Sequence, residues 1–253
     1  MYAEERQQQI ADRARRDGRV EVMGLADDLG VTSETVRRDL TVLERAGVLR
    51  RVHGGAIPIE RLGFEPGLAA RDAVMTGEKE RIAKAALAAL PQEGAVIIDA
   101  GTTTGRLAAV LPTDRELTVV VNAPPLAVAL ASRPNLTVIM LGGRLRGRTL
   151  ATVDDLALRP LEHLFVDVAF MATNGCTPEH GLTTPDPAEA AVKRAMVRAA
   201  RRAVLLADHT KFSQDYMARF AELSDIDVIY SDTGLDRGLA AELEAAGPEV
   251  VRA

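Results

Sequence analysis

This chain has few of the residues from which covalent cross-links and aromatic cores are built. Of its 253 residues only one is cysteine, none is tryptophan, and aromatic residues make up 3%. The single cysteine, Cys176, excludes an intramolecular disulfide and a zinc site made of cysteines, and we expect it to be a small buried apolar residue. The core must be built from Ala, Val, Leu and Ile, which favours helices packed on a sheet.

Long apolar runs are also missing. No uninterrupted apolar stretch approaches the ~20 residues that a helix needs to cross a bilayer. Residues 1–6 carry no apolar core of a signal peptide. We therefore expect a cytoplasmic protein that makes no contact with a membrane.

An excess of positive charge is absent as well, since the net charge is −5. Residues 1–57 carry ten Arg/Lys and ten Asp/Glu, and the remainder carries 21 and 26. A nucleic acid cannot be attracted by a globally basic surface here, so such binding must depend on where the charges lie. Residues 33–53 contain five arginines against three acidic residues, a local excess of two.

The chain divides into three sections. Residues 1–57 have the pattern of short helices closed by a Gly-Gly pair, and residues 58–77, with scattered Pro and Gly, are predicted to be a linker. In residues 78–253, six apolar runs alternate with Ala/Leu-rich helical stretches. Strands that are apolar throughout are typical of a sheet covered on both faces. We predict an α/β fold with a Rossmann-like, mostly parallel sheet over 78–253.

Residues 25–40 have the pattern of a helix-turn-helix. Leu25 and Leu29 provide a packing face, Gly30 suits the sharp turn, and Thr32 or Ser33 can cap the second helix. On a helical wheel, three apolar residues of that helix point inward: Val36, Leu40 and Leu43. Polar residues fall on the opposite side: Arg37, Arg38, Thr41 and Arg45. An arginine on such a face can bind guanine O6 and N7 in the major groove.

A basic strand with two glycines, residues 48–56, follows and predicts a wing, for which residues 20–22 could supply the pairing strand. The N-terminal section is therefore predicted to be a winged helix-turn-helix that binds double-stranded DNA. The candidate DNA-contacting residues are Thr32, Ser33, Thr35, Arg37, Arg38, Thr41, Arg50, Arg51, His53 and Gly54. A helical hairpin with a solvated arginine face is the alternative interpretation.

The C-terminal section has a candidate anion site where a buried strand, residues 95–99, meets a helix. Gly101 leaves room near the backbone, three threonines supply hydroxyls, and the N–H groups of a new helix point to the same place. The loop is neither a Walker A motif nor Gly-x-Gly-x-x-Gly, and a capped βα turn is the alternative. Polar residues at other strand ends could share this crevice. The candidate effector-binding residues are Asp99, Gly101, Thr102, Thr103, Thr104, Asn122, Gly142, Gly143, Arg144, Asp186 and Lys211. His180 and His209 lack a partner constellation and are interpreted as loop histidines rather than metal ligands, and no metal site is expected.

These motifs resemble those of one family of bacterial regulators. Residues 31–40, with His53-Gly54-Gly55-Ala56, are similar to the recognition helix and wing of the DeoR family. Residues 99–104, 141–143, 181–184 and 208–212 are similar to its sensor domain. The resemblance implies a sensor related in fold to ribose-5-phosphate isomerase and effectors that are mostly sugar phosphates. The chain departs from the family pattern at two places. It has Val153-Asp154-Asp155 where the family often has Val-Gly-Pro, and it has Gly175-Cys176-Thr177 where the family often has Gly-Ile-Asp.

Three functions come into consideration for a chain with these motifs. The prediction is a transcriptional repressor of a carbohydrate operon, a homodimer or homotetramer that a phosphorylated sugar releases from operator DNA. A sugar-phosphate isomerase with an appended domain would need a placed base and acid, and no tight carboxylate cluster is evident. A scaffold with a cryptic pocket leaves the arginine helix unexplained. We therefore predict no enzyme activity, no catalytic residues and no cofactor beyond the effector.

Overall fold

The computed structural model describes residues 3–17, 19–58, 65 and 67–253, and it divides into two compact units, Met1–Pro66 and Gly67–Ala253. The second unit begins within residues 58–77, which we expected to be a linker. Residues 59–64 and 66 lie outside the described part, but residues 67–77 belong to the second unit, where they form a short helix and the start of another. Hydrogen bonds to distant parts of the chain order this segment, and residue composition does not reveal them.

The N-terminal unit is three helices and a small antiparallel sheet. Its elements are α1 (Ala3–Asp17), β1 (Val20–Glu21), α2 (Val22–Leu29), α3 (Ser33–Arg45), β2 (Leu49–Val52) and β3 (Gly55–Pro58). The sheet order is β1-β3-β2. Ile10, Leu25 and Leu40, one from each helix, meet Leu49 of β2 in its core. This is the predicted winged helix-turn-helix, except that Val22 begins a helix and only Val20 and Glu21 pair with the wing.

The C-terminal unit is an α/β domain. Its elements as far as the first sheet edge are α4 (Leu68–Asp72), α5 (Thr76–Ala86), β4 (Gly94–Ile98), α6 (Thr102–Ala109), β5 (Leu117–Val121), α7 (Pro124–Ala131) and β6 (Leu136–Met140). The remaining elements are β7 (Arg144–Leu145), β8 (Thr152–Val153), α8 (Asp155–Leu161), β9 (Val166–Met171), β10 (Gly175–Thr177), β11 (Gly181–Thr184), α9 (Pro187–Ala199), β12 (Ala200–Leu206), β13 (Ala218–Ala221), β14 (Val228–Ser231), α10 (Arg237–Ala245) and β15 (Glu249–Arg252). Short 3-10 helices cover Leu87–Ala89, His209–Lys211 and Leu223–Asp225.

Seven strands form the central sheet, in the order β15-β14-β12-β9-β4-β5-β6, and every pairing in it is parallel. Alternate residues of β4 enter different cores: Ile97 packs among α8, α9 and α10, whereas Val96 and Ile98 pack among α5, α6 and α7. The prediction of a parallel sheet covered on both faces is confirmed. Its seventh strand, β15, and the antiparallel groups β10-β11-β13 and β7-β8 were not predicted.

The strand order reverses between β4 and β9. From β4 the chain moves through β5 to β6 on one side, and it returns to β9 on the other. Helices that follow neighbouring strands then lie on opposite faces, which leaves a crevice beyond the carboxyl ends of these strands. The loop that follows β4 carries Gly101 and the threonines.

Candidate functional sites

Local rules build the recognition helix, α3. Gly30 has the left-handed backbone that the turn requires (φ 63°), and its N–H bonds back to α2. The Thr32 hydroxyl caps α3 by accepting a hydrogen bond from the Thr35 N–H at 3.2 Å. Val36 and Leu40 are fully buried. The expected inward face of α3 is confirmed.

The opposite face of α3 is open to solvent. Arg37 and Arg38 are exposed, and the contact of Arg37 with Glu34, at 3.9 Å, leaves its side chain 57% accessible. Exposed ion pairs of this kind contribute little to stability, so these guanidinium groups are available to a partner. Asp39 is instead buried, where it pairs with Arg6 of α1 at 2.5 Å and fixes α3 on α1.

The wing needs both of its glycines. Gly54 has a positive φ of 78° in the turn between β2 and β3, and a Cβ on Gly55 would lie 1.9 Å from the Val20 carbonyl oxygen. Arg51 joins the wing to α3, because its backbone N–H donates to Glu44 and its guanidinium donates to Thr41. The predicted DNA-contacting residues of the wing are all exposed: Arg50, Arg51, His53 and Gly54.

A cavity of about 590 Å³ lies in the C-terminal unit at the start of α6. We call it the α6 cavity, and its lining comes from four places: α4, the first turns of α6, the start of α7 and the loop 147–150. Its lining residues are Gly67, Leu68, Ala69, Asp72, Gly101, Thr102, Gly105, Arg106, Ala123, Pro125, Leu126, Gly147, Arg148, Thr149 and Leu150. Of the predicted effector-binding residues, Gly101 and Thr102 are among them. The first backbone N–H groups of α6 lack intrahelical acceptors and carry the positive end of the helix dipole.

The charged side chains that line the α6 cavity are two arginines and one aspartate. Arg106 and Arg148 against Asp72 leave a net charge of one positive unit. Asp72 Oδ1 accepts from Arg106 Nη2 at 2.9 Å, which ties α4 to α6. The cavity therefore combines a helix N-terminus with arginine groups, as an anionic ligand requires.

Residues 6–61 match the DeoR-like helix-turn-helix domain, and residues 75–233 match the DeoR C terminal sensor domain. The chain belongs to the DeoR family. It is a DNA-binding transcriptional regulator and not an enzyme.

Similar proteins agree with this membership. The HTH-type transcriptional regulator GlpR of Haloferax volcanii is 39% identical over 235 residues, which is 93% of this chain and 91% of that protein. The glycerol-3-phosphate regulon repressor of Escherichia coli K12 is 28% identical over 232 residues, 92% of each chain. Among solved structures, ribose 5-phosphate isomerase A from Methanocaldococcus jannaschii aligns with 55% of each chain, at 12% identity and a TM-score of 0.41.

Among the helices of the described residues, none has the length and apolar character to span a bilayer.

A chain of buried charges connects two walls of the α6 cavity in this DeoR-family sensor domain. Lys193 of α9 donates to Asp99 and to the Ala172 carbonyl, and it lies 3.8 Å from Glu189. Glu189 in turn pairs with Arg146, immediately before the loop 147–150. Burial raises the pKa of Asp99, and the Lys193 ammonium opposes that rise. Asp99 precedes the Gly101 loop and Arg146 precedes the loop 147–150, so these contacts link the segments that carry the two walls.

Lys193, Glu189 and Arg146 were not predicted from the sequence. The available signal was the Glu-Lys pair four residues apart on an Ala-rich helix, which places both side chains on one face. That spacing is usually a solvated surface pair, and here the face is turned into the core.

The other nine predicted effector-binding residues are not among those that line the α6 cavity. Asp99, Thr103, Thr104 and Asn122 are buried. Asp186 caps α9 and pairs with Arg146 at 3.2 Å. Gly142, Gly143, Arg144 and Lys211 are likewise not among its lining residues. Arg144 instead pairs with Asp154 at 2.7 Å, so the Asp154 departure from the family pattern has a partner within the chain.

Each of the two histidines, His180 and His209, lies beside a carboxylate. His180 Nδ1 lies 3.0 Å from Asp215, and His209 Nδ1 lies 2.8 Å from Asp232. The hydrogen bond to Asp232 raises the pKa of His209. Burial by itself would raise the pKa of Asp232, but hydrogen bonds from His209 and from the Gly234 N–H lower it to about 2.

Thr177 and Cys176 lie in the buried strand β10. The Thr177 hydroxyl bonds to Asp215 at 3.0 Å, so this second departure from the family pattern also has a partner. Cys176 is fully buried, as expected, and burial raises the pKa of its thiol to about 12.

Proposed function

We propose that this regulator represses a carbohydrate or polyol operon and leaves its operator when a phosphate monoester of a sugar or polyol occupies the α6 cavity. The observation that carries the proposal is the pairing, in one chain, of an exposed arginine helix with an anion-suited cavity in a separate unit. A relative named a glycerol-3-phosphate regulon repressor fits this class of effector. The regulator acts in the cytoplasm, where its operator lies.

The proposed DNA contacts lie on α3 and the wing. Arg37 and Arg38 read bases or bind phosphates from the first turns of α3, and the basic wing follows the DNA backbone. The full set is Thr32, Ser33, Thr35, Arg37, Arg38, Thr41, Arg50, Arg51, His53 and Gly54. One recognition helix reads only a few base pairs, so we propose that a homodimer or homotetramer binds paired half-sites.

The proposed effector contacts begin at Gly101 and Thr102. Their N–H groups and the Thr102 hydroxyl hold the phosphate at the start of α6. Asp99, Thr103, Thr104, Asn122 and Asp186 support these walls from below or from α9. Gly142, Gly143, Arg144 and Lys211 remain proposed contacts for the sugar end of a longer ligand.

The test uses the full chain, an operator selected from a random duplex library, and fluorescence anisotropy. Glycerol 3-phosphate, ribose 5-phosphate and fructose 6-phosphate are added, with glycerol, ribose and fructose as unphosphorylated controls. At least one phosphate ester should release the operator and raise the melting temperature, while its control does neither. Operator binding that no phosphate ester alters would contradict the effector class, and failure to select any operator sequence would contradict the repressor.

A further inference from the structure

Several polar contacts hold α4, the helix that forms one wall of the α6 cavity, and its one large apolar residue, Leu68, is partly buried. None of its five residues is buried. The Leu68 N–H donates to the Arg148 carbonyl at 2.9 Å, and Asp72 pairs with Arg106. At the other end Lys79 donates to the Arg71 and Val74 carbonyls, the latter at 2.6 Å. An element whose residues are at most partly buried is among the first to move when a polar contact is lost.

Lys79 is a firm anchor, whereas the Asp72–Arg106 pair is not. Lys79 is 2% exposed, and burial lowers its pKa to about 8. The side chains of Asp72 and Arg106 are 48% and 30% exposed. Because water competes for a half-exposed pair, its contribution is small. The contact between α4 and α6 is therefore the one that a ligand can most easily replace.

Arg106 is positioned to reach an anion at the start of α6. It lies one turn after Thr102, and helical side chains lean toward the N-terminus of their helix. Both residues line the α6 cavity. The Arg106 Nε is buried and has no hydrogen-bond acceptor among the residues that the structure describes. A phosphate can accept from Nε and Nη2 together, and a dianion attracts the guanidinium more strongly than one carboxylate does.

From this geometry we propose that the effector's phosphate replaces Asp72 as the partner of Arg106 and thereby releases α4 from α6. The proposal rests on the function proposed above and adds its mechanism. Asp72 is left beside a dianion, and their repulsion favours movement of α4 away from the cavity. The N-terminal unit ends at Pro66 and α4 begins two residues later, so movement of α4 acts close in sequence to the unit that carries the recognition helix. Effector affinity and operator affinity are then coupled, as a regulator requires.

Two substitutions separate the steps of this exchange. Arg106→Gln should weaken binding of an active phosphate ester about tenfold or more, because a hydrogen bond to a charged group is lost. Asp72→Asn should strengthen that binding about two- to fivefold, because it removes the competitor of the phosphate. It should also weaken operator binding without effector, because α4 loses its ion pair with α6. Arg81→Gln, which removes an exposed arginine paired with Glu78 on α5, is the matched control and should alter neither affinity.

Hydrogen exchange of the full-length protein gives a readout of α4 itself. Adding the ester should speed exchange of the amides of residues 68–74 in the wild type and leave them unchanged in Arg106→Gln. Thermal melts of each variant check folding, and Arg106→Lys, which keeps the charge, replaces Arg106→Gln if that variant is unfolded. Suppose that a phosphate ester releases the operator from the wild type, and that both variants bind ester and operator like the wild type. That result would overturn the exchange and leave the proposed function standing. A wild type that no phosphate ester releases would overturn both.

Discussion

The recognition surface and the α6 cavity are built in opposite ways. Two polar contacts at the start of α3 are local: Thr32 bonds to Thr35, and Arg37 contacts Glu34, three residues away in each case. Beside the cavity, Lys193 reaches Asp99 across 94 positions of sequence, and both side chains are buried. The exposed arginines of α3 are therefore accessible to a binding partner, whereas the buried charges connect elements that are distant in the sequence.

The largest effect should come from breaking the buried charges. Lys193→Met leaves Asp99 without its cation, and an uncompensated buried charge typically costs about 3–5 kcal/mol of unfolding free energy. Chemical denaturation measures the loss.

Arg198→Met on the same helix is the control, because Arg198 is exposed and its loss should change the unfolding free energy by less than about 0.5 kcal/mol. An equal loss of unfolding free energy in the two variants would mean that the buried charges contribute no more to stability than an exposed one.

Removing the exposed arginines should change binding and not stability. Arg37→Ala and Arg38→Ala should each weaken operator binding by about 1–3 kcal/mol if the arginine contacts a base. Their melting temperatures should match the wild type, because neither side chain is packed.

Gel-shift titration of the two variants beside Arg237→Ala, an exposed arginine of α10, separates a specific contact from a general loss of charge. Unaltered operator binding by an α3 variant would remove that arginine from the interface.

The turn of the helix-turn-helix can be tested with two glycines that are six residues apart, Gly24 and Gly30. Gly30→Ala forces a left-handed backbone on alanine and should destabilise by about 1–2 kcal/mol. Gly24→Ala lies inside α2 with no atom within 4 Å of the added Cβ and should stabilise by about 0.5–1 kcal/mol. Thermal melts that shift in the same direction for both would contradict the assigned turn.

The smallest effect concerns the partly exposed His209–Asp232 pair. The raised pKa of His209 means that its contribution is complete below its ordinary pKa of 6.5 and is lost as pH rises through the folded value. The lowered pKa of Asp232, about 2, means that its contribution is present above 3.8 and is lost as pH falls toward 2. We expect His209→Gln to cost under about 1 kcal/mol at pH 5.5 and less at pH 9.

Denaturation of wild type and His209→Gln at both pH values, with an NMR titration of the imidazole, measures this difference. A His209 pKa at or below 6.5 would show that the ion pair is absent in solution.

The same division explains how much could be predicted from the sequence. Capping by Thr32, the turn at Gly30 and the buried face of α3 follow from neighbouring residues, and the parallel strands follow from their apolar runs. The α4 helix, the partners of His180 and His209, and the position of Lys193 depend on residues far apart in the chain. Only Gly101 and Thr102 of the predicted effector residues line the cavity, because strand ends that are neighbours in the sheet need not face one opening.

The buried thiol of Cys176 makes the wild-type chain a ready background for site-specific labelling. Its pKa of about 12 and full burial leave almost no thiolate at neutral pH to compete for a maleimide dye. A dye on Ala70→Cys, at an exposed position of α4, would report on that helix alone. With no tryptophan in the chain, tryptophan emission would not interfere with its signal.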